Sequence, residues 1–531
     1  MGGVVGATSG GATSGGASPA STGGSFTATG GASGGTSSAS TGGANTGGAQ
    51  GGSTTAGAST GGTASSGGTS TGGTATGGTT TQGGTTARGG TASGGAATGG
   101  AAMGGAAMGG SAGAGGSVQL TPNITIDTQT RYQAVDGFGS ALPMWGTASN
   151  MWTTDEVHKF VGMGDGELGT SIVRTIVDPD SSRWSYAVAN LKEAKSYGSN
   201  VKILATPWSP PADMKDNNST TNGGSLLPAR YADYAQHLNS YLSYMAGQGV
   251  TIDVISVQNE PDWKTDYESC IWSGEQFRTF VRDQGASIKG AKLMIAESLG
   301  YNRAYTDPTL NDATAVNNIA YIGGHLYGAE ASGRLSAYPL AEQKNKNRWM
   351  TEWNFHEADG TGAAIWGGDN KAVWDETLDT VMRTVHVSMD VKWNAYIWWW
   401  GRRFYSFIGD GDAAYGTTKG AILKRGWAFS HYAKFVRPGY TRVATKLNTS
   451  FSNLVLTAYE GDKKVVVVLL NRSTSDYKNV VFQIPSTVTS AQTFVTSQST
   501  NRSAVTTTAT GPYATVATLP ARSIVTVVMA Y

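Results

Sequence analysis

The chain has 531 residues, and its 38 lysine and arginine residues against 37 aspartate and glutamate residues give a formal net charge of +1. This balance creates no long-range field for gathering nucleic acid or an anionic membrane surface, so neither is expected as a partner. The single cysteine, Cys270, excludes an intrachain disulfide, and without a run of 18 or more apolar residues no membrane span is expected.

Residues 1–117 consist almost entirely of Gly, Ser, Thr and Ala in short repeats. Such a tract has too little apolar bulk to offset the entropy of ordering, so it predicts a disordered, flexible tether. A tether of this kind would hold a folded domain away from a cell envelope, and we expect an extracellular or surface-tethered protein. No export signal is visible in the first residues.

From about residue 118 the chain alternates short apolar runs with helical patterns, which is typical of a parallel sheet wrapped by crossover helices. The clearest helix is expected at 228–246, because Pro228 can start it and Gly247 can stop it. Eight strand-helix units favour a (β/α)₈ TIM barrel over residues 118–436. The predicted strands are 134–140, 170–176, 201–206, 251–258, 292–296, 320–326, 348–352 and 393–399.

Beyond Pro438 the helical patterns stop, and short strands alternate with polar turns. Residues 437–531 therefore predict an attached β-sandwich side domain. The early segment 118–130 has the alternation of a strand, and we expect it to pair with this side domain.

Two glutamates end predicted barrel strands. Glu260 follows the fourth strand in Asn259-Glu260-Pro261, and Glu352 closes the seventh. Side chains at the carboxyl ends of barrel strands converge on one pocket, and a facing pair of carboxyl groups is the minimum for glycoside cleavage. Alternatively, each glutamate is a salt-bridge partner at the rim.

Aromatic residues and a histidine accompany these carboxylates near strand ends. They are Trp208, His325, Tyr327 and the run Trp398 to Trp400. Indole and phenol rings can stack on sugar rings, although they are also ordinary core residues. His325 has no second His or Cys at ligand spacing, so neither a metal nor another cofactor is predicted.

Five segments together resemble glycoside hydrolase family 30, and within it the bacterial glucuronoxylanases of subfamily 8. They are 135–139, 205–211, 257–262, 325–328 and 436–440. The resemblance spans residue 118 to the C-terminus. It implies a barrel with a side β-sandwich and a retaining mechanism, with Glu260 as general acid/base and Glu352 as nucleophile. Asn259 would bond the sugar 2-hydroxyl.

The most specific segment is Trp399-Trp400-Gly401-Arg402-Arg403-Phe404-Tyr405. By position in the family, Trp399, Arg403 and Tyr405 would bind the 4-O-methylglucuronate branch of xylan. A guanidinium offers a donor fork that suits a carboxylate. The alternative for Arg403 is a surface charge pair.

Two positions depart from the family pattern. Asn354 and Glu357 stand where the family has an aromatic and a small hydroxyl residue, and an acidic side chain facing a uronate would repel it. An insertion at 409–422 also lengthens the loop after the eighth strand.

The sequence therefore predicts a monomeric, retaining endo-β-1,4-xylanase acting on glucuronoxylan, with branch recognition at Arg403. The alternatives are a family 30 relative that cleaves unbranched xylan, arabinoxylan or another β-glycan such as β-1,6-glucan or galactan, a relative with a glucosylceramide-type substrate, and a non-catalytic carbohydrate-binding surface protein.

Overall fold

The computed structural model describes residues 119–142, 151–358 and 365–531. The tether predicted at 1–117 lies outside the described residues. The described strands form two sheets, a closed barrel and a ten-stranded sheet. The first strand, β1 (Ile124–Ala134), belongs to the ten-stranded sheet.

Eight parallel strands close into a barrel, in which each strand is hydrogen-bonded to the next and the last to the first. They are β2 (Gly137–Ala141), β3 (Ile172–Val177), β4 (Lys202–Pro207), β5 (Val254–Ser256), β6 (Lys292–Ser298), β7 (Tyr321–His325), β8 (Asn347–Glu352) and β9 (Ala395–Trp400). The predicted TIM barrel is confirmed. The fourth barrel strand, β5, is shorter than the predicted 251–258, since the backbone beyond it leaves the ladder and reaches a φ of 42° at Glu260.

Helices surround the barrel. They are α1 (Thr154–Val161), α2 (Val188–Tyr197), α3 (Tyr231–Gly247), α4 (Gly274–Gln284), α5 (Asp307–Asn311), α6 (Ala315–Asn318), α7 (Pro339–Gln343), α8 (Lys371–Glu376), α9 (Arg383–Asp390) and α10 (Lys424–Ala433). A π-helical segment, Thr377–Met382, joins α8 to α9. Local sequence sets the start of α1. The Thr153 hydroxyl accepts a hydrogen bond from the Glu156 N–H, and the Glu156 carboxylate accepts one from the Thr153 N–H. These two bonds satisfy backbone donors that would otherwise be unpaired at the helix start.

The helix predicted at 228–246 is observed as a 3₁₀ turn at Pro228–Arg230 followed by α3. Its buried residues include Tyr234, Leu238 and Met245. No helix within the described ranges is long and apolar enough to cross a membrane.

The floor of the barrel is apolar, and the layer above it is polar. Ile172, Leu204, Val254, Met294 and Trp349 form a buried cluster inside the barrel together with Ala395 and Ile397. Because side chains alternate along a strand, the residue two positions beyond a floor residue faces the same interior, nearer the carboxyl ends. Arg174 on β3 stands two residues beyond Ile172. The sequence thus places a charged side chain directly above an apolar floor.

The remaining strands form a ten-stranded sheet with β1. They are β10 (Thr441–Leu447), β11 (Leu454–Gly461), β12 (Lys464–Asn471), β13 (Tyr477–Gln483), β14 (Ser490–Ser497), β15 (Ser503–Val505), β16 (Thr507–Thr510), β17 (Tyr513–Leu519) and β18 (Ser523–Ala530). β1 lies inside it, antiparallel to β10 and parallel to β13.

This sheet is continuous but curls so that β14, near one edge, contacts β16 and β17 at the other. Apolar residues from both halves, such as Val467 and Phe482, form one core. The side domain therefore has the two-layered core expected of a sandwich, built from a single sheet.

The sheet packs on the barrel through α10 and the segment from α8 to α9. His431 of α10 is fully buried and shares hydrogen bonds of 2.8 Å with the hydroxyls of Thr496 and Thr526. Arg522 forms ion pairs of 2.6 Å with Asp375 and Asp379.

Candidate active site

Glu260 is held at the mouth of the barrel by its backbone. The Glu260 N–H donates to the Glu297 carbonyl at 3.0 Å, and the preceding Asn259 N–H donates to the Pro207 carbonyl at 2.8 Å. Neighbouring strands thus fix the segment after β5 on both sides. The left-handed φ of 42° at Glu260 is unusual for a residue with a side chain, and such conformations cluster at functional sites.

Glu352 ends β8 and faces Glu260. Their exposed fractions are 6% for Glu352 and 7% for Glu260. A carboxylate oxygen of each and a ring nitrogen of His325 all lie within 4.8 Å of one another. The structure therefore brings together the two glutamates singled out in the sequence. Carboxyl groups about 5 to 5.5 Å apart are typical of retaining glycosidases, whereas inverting enzymes leave about 6.5 to 9.5 Å for a water.

Arg174 is a central residue of the site that sequence reasoning missed. It is fully buried, and its guanidinium donates to Glu352 Oε2 at 2.6 Å and to Asn259 Oδ1 at 2.6 Å. It also pairs with Glu297 at 3.2 Å and lies 4.7 Å from the ring of Trp208. Arg174 thus joins the nucleophile candidate to the amide candidate through one rigid fork. An arginine inside an apolar barrel strand was the available signal.

Glu297, at the end of β6, is a second residue missed in the sequence. It is fully buried, and its φ is 46°. With Glu260 and Glu352 it places three carboxyl groups around the single guanidinium of Arg174. Since one cation cannot neutralise three carboxylates in a buried site, at least one carboxyl is expected to keep its proton.

Glu260 has the environment of a proton donor. Burial raises the pKa of Glu260 to about 8, Asp262 adds to the rise and Arg174 opposes it. His325 Nδ1 lies 2.9 Å from Glu260 Oε1. Burial also lowers the pKa of His325, which favours the neutral imidazole at this contact.

Glu352 has the environment of an ionised carboxylate. Burial raises its pKa, and the charge of Arg174 and the hydrogen bond from Arg174 limit the rise. The Tyr327 hydroxyl also donates to Glu352 Oε1 at 3.1 Å, and Asn354 donates to the same hydroxyl at 2.9 Å. Direct donors on both oxygens favour the anion at Glu352, whereas His325 is the partner of Glu260.

The triad of Glu260, His325 and Glu352 has the residue types of a metal site. Arg174 already places a full positive charge 2.6 Å from a Glu352 oxygen, and a divalent cation among these groups would be repelled by it. The donor set therefore suits proton transfer and nucleophilic attack better than metal coordination.

Aromatic residues line the wall beside the carboxylates. Trp208 and Trp399 lie 6.1 Å apart, and Trp399 stacks on Trp400 at 5.3 Å. Trp398 is instead a core residue, since it is fully buried and donates to the Ser406 hydroxyl at 3.0 Å. Of the predicted tryptophan run, Trp399 and Trp400 remain partly exposed.

The predicted branch-binding residues follow on the same loop. The Arg403 side chain is 36% exposed, and its guanidinium lies 5.8 Å from the Trp400 ring. Tyr405 is mostly buried and stacks on His356 at 4.5 Å. Arg403 also forms an ion pair with Asp410 at 3.6 Å, so the charge pair weighed as an alternative exists in the structure.

The two departures from the family pattern have different surroundings. Asn354 bonds to Tyr327, as described, and so contacts the hydroxyl that serves Glu352. Glu357 is exposed, and water weakens the repulsion that its charge would exert on a uronate. The inserted loop 409–422 packs against the Arg403 segment, because Tyr415 stacks on Phe404 at 3.6 Å.

Comparison with known proteins agrees with this geometry. The model of the glycosyl hydrolase family 30 TIM-barrel domain matches residues 178–385. Glucuronoxylanase XynC of Bacillus subtilis (strain 168) is 35% identical over 391 residues, which cover 72% of this chain and 86% of that protein. The chain belongs to glycosyl hydrolase family 30. The resemblance found in the sequence is confirmed.

Other similar proteins differ in the substrates that their names give. A subfamily 8 xylanase from Clostridium acetobutylicum has a TM-score of 0.66 and 31% identity, covering 77% of this chain and 100% of that one. Putative glucosylceramidase 1 of Caenorhabditis elegans is 24% identical over 412 residues, covering 66% of this chain and 76% of that protein. Family 30 membership thus makes the protein a glycoside hydrolase, and its substrate has to be argued from the site.

Proposed function

We propose that this protein is a retaining endo-β-1,4-xylanase that hydrolyses glucuronoxylan. The observation that carries the proposal is the pair Glu260 and Glu352, whose oxygens lie within 4.8 Å of each other in different environments. Glucuronoxylanase XynC and the subfamily 8 xylanase support the choice of substrate.

In the first step the Glu260 carboxyl donates its proton to the glycosidic oxygen, and the Glu352 carboxylate attacks the anomeric carbon. The bond to the leaving chain breaks, and a glycosyl ester on Glu352 forms. In the second step Glu260, now ionised, removes a proton from water, which attacks the same carbon and releases Glu352. The pKa of about 8 at Glu260 suits a group that gives and then takes a proton near neutral pH.

Asn259 is proposed to bind the sugar 2-hydroxyl. Its Oδ1 accepts the bond from Arg174 at 2.6 Å, which fixes the amide so that Nδ2 is the group that can donate to a hydroxyl. Trp208, His325 and Tyr327 would line the same sugar site. Trp399, Arg403 and Tyr405 would bind the glucuronate branch, the last two through a guanidinium and a hydroxyl.

We further propose that the protein acts as a monomer outside the cell, free or tethered by residues 1–117. A polymeric xylan substrate supports this location, because it is too large to reach a cytoplasmic enzyme.

The test is a product profile on glucuronoxylan, arabinoxylan and linear xylan, with Glu352→Gln and Glu260→Gln as matched variants. We expect products of glucuronoxylan whose branches sit at a fixed position from the cut, and loss of hydrolysis in Glu352→Gln. Unbranched products of random length would refute branch recognition. Binding without hydrolysis by the unmodified protein would favour a carbohydrate-binding protein, and unchanged hydrolysis by Glu352→Gln would remove the proposed nucleophile.

A further inference from the structure

Arg403, the residue proposed to hold the branch carboxylate, already has a carboxylate neighbour. Asp410 Oδ2 lies 3.6 Å from Arg403 Nη1. Asp410 belongs to the inserted loop 409–422, so the sequence feature that departs from the family pattern is the feature that supplies this charge.

Asp410 is held in place by its other oxygen. Its Oδ1 accepts from the Thr417 hydroxyl at 3.0 Å and from the Asp412 N–H at 3.2 Å. These bonds come from within the loop and leave Oδ2 as the oxygen nearest to Arg403. The Asp410 side chain is only 16% exposed, which reduces the screening of its charge by water.

The loop itself is fixed to the barrel. Tyr415 stacks on Phe404 with the rings 4° from parallel, and the Trp366 N–H donates to the Tyr415 carbonyl at 2.9 Å. The Gly409 N–H donates to the Ala421 carbonyl at 2.8 Å, and this hydrogen bond closes the base of the loop. Asp410 is therefore presented by an anchored loop.

The pair of Arg403 and Asp410 is loose. A charge-assisted hydrogen bond is typically about 2.7 to 2.9 Å long, and 3.6 Å is longer than this. The guanidinium is also 36% exposed, so an incoming carboxylate can reach it. Such a carboxylate would share the guanidinium with Asp410, and two like charges at one site repel each other.

We propose that Asp410 is a specificity-determining residue that competes with the glucuronate carboxylate for Arg403, which weakens the preference of the enzyme for branched over unbranched xylan. This inference rests on the proposed function. It concerns how strongly the enzyme prefers branched over unbranched xylan, whereas the proposed function concerns whether Arg403 binds the glucuronate branch.

The test uses Asp410→Asn, which keeps the shape of the side chain and an oxygen for Thr417 but removes the charge. We measure kcat/KM on a glucuronate-branched and on an unbranched xylo-oligosaccharide. The ratio of branched to unbranched kcat/KM should rise roughly two- to five-fold, the range expected for a partly exposed ion pair, mainly through a lower KM for the branched substrate. The unbranched kcat/KM should stay unchanged.

Asp412→Asn is the matched control, because its carboxylate accepts from the Ala414 N–H at 3.0 Å within the same loop. An equal rise in this control would attribute the effect to loop mobility and overturn the inference. An unchanged or lowered ratio in Asp410→Asn would also overturn it.

Arg403→Ala separates the two proposals. If this variant has the branched-to-unbranched ratio of the unmodified protein, branch recognition by Arg403 is wrong. If Arg403→Ala lowers the ratio, the Asp410→Asn effect must vanish in the double variant, because the charge at 410 then has no guanidinium to act on. A rise that persists in the double variant would overturn the competition between Asp410 and the branch.

Discussion

Replacing Arg174 by Met should raise the pKa of the proposed nucleophile and weaken the enzyme at acidic pH. Glu352 would lose a charge-assisted hydrogen bond of 2.6 Å in a site where the arginine is fully buried. Such a bond contributes about 1.5 to 3 kcal/mol. Since one pKa unit corresponds to about 1.4 kcal/mol, the acid limb of the kcat/KM profile should move up by about one to two pH units.

The sign follows from the role of Glu352. A nucleophile must be ionised, so activity is present above its pKa and lost as the pH falls through it. Below the shifted limb, Arg174→Met should therefore lose about 10- to 100-fold in rate through the pKa change, whereas at higher pH only the loss caused by the freed Asn259 amide should remain. The assay is reducing-sugar release from glucuronoxylan across the pH range.

Thr206→Val is the control for this prediction. The Thr206 hydroxyl accepts from Arg174 Nε at 3.4 Å, and its loss leaves both bonds of the guanidinium to Glu352 and Asn259. The acid limb should stay in place in this variant. An acid limb that does not move in a folded Arg174→Met protein would refute the claim that Arg174 keeps Glu352 ionised.

The remaining predictions concern the proton donor, the second donor to Glu352 and a buried ion pair. The alkaline limb of kcat/KM should lie near the Glu260 pKa of about 8, because a general acid works below its pKa, and Glu260→Gln should remove that limb from the residual activity. Tyr327→Phe deletes the 3.1 Å bond to Glu352 and should lower kcat/KM about five-fold, or about 1 kcal/mol; an unchanged rate in the folded variant would contradict it. Arg425→Met leaves the buried Glu376 carboxylate without its arginine partner and should lower the free energy of unfolding, measured with denaturant, by about 3 to 5 kcal/mol. A decrease below about 1 kcal/mol would show that this ion pair does not stabilise the fold.

The sequence was informative where one local pattern decides the structure. The barrel follows from the alternation of strands and helices, and the helix that contains α3 follows from Pro228 and Gly247. Glu260 and Glu352 could be found because strand ends in a barrel share one mouth. The family 30 motifs then distinguished these two carboxylates from the other acidic residues of the chain.

Features that depend on contacts between distant segments could not be found in this way. Arg174 and Glu297 look like isolated charges in apolar strands, and their role is visible only once the closed barrel brings side chains of β3, β6 and β8 together in its interior. The contact between Asp410 and Arg403 depends on the path of an inserted loop, for which the sequence has no periodic signal. The continuous side sheet likewise depends on how its two edges curl together.

The position of β1 has a consequence for synthesis of the protein. Asn123, just before β1, bonds to Thr449, which lies 326 residues later in the chain, and β1 itself is enclosed by β10 and β13. On the ribosome this first strand must wait without its neighbours while the whole barrel emerges. A version truncated after α10 would leave Ile124 and Ile126 exposed on an unpaired strand, and we expect it to aggregate.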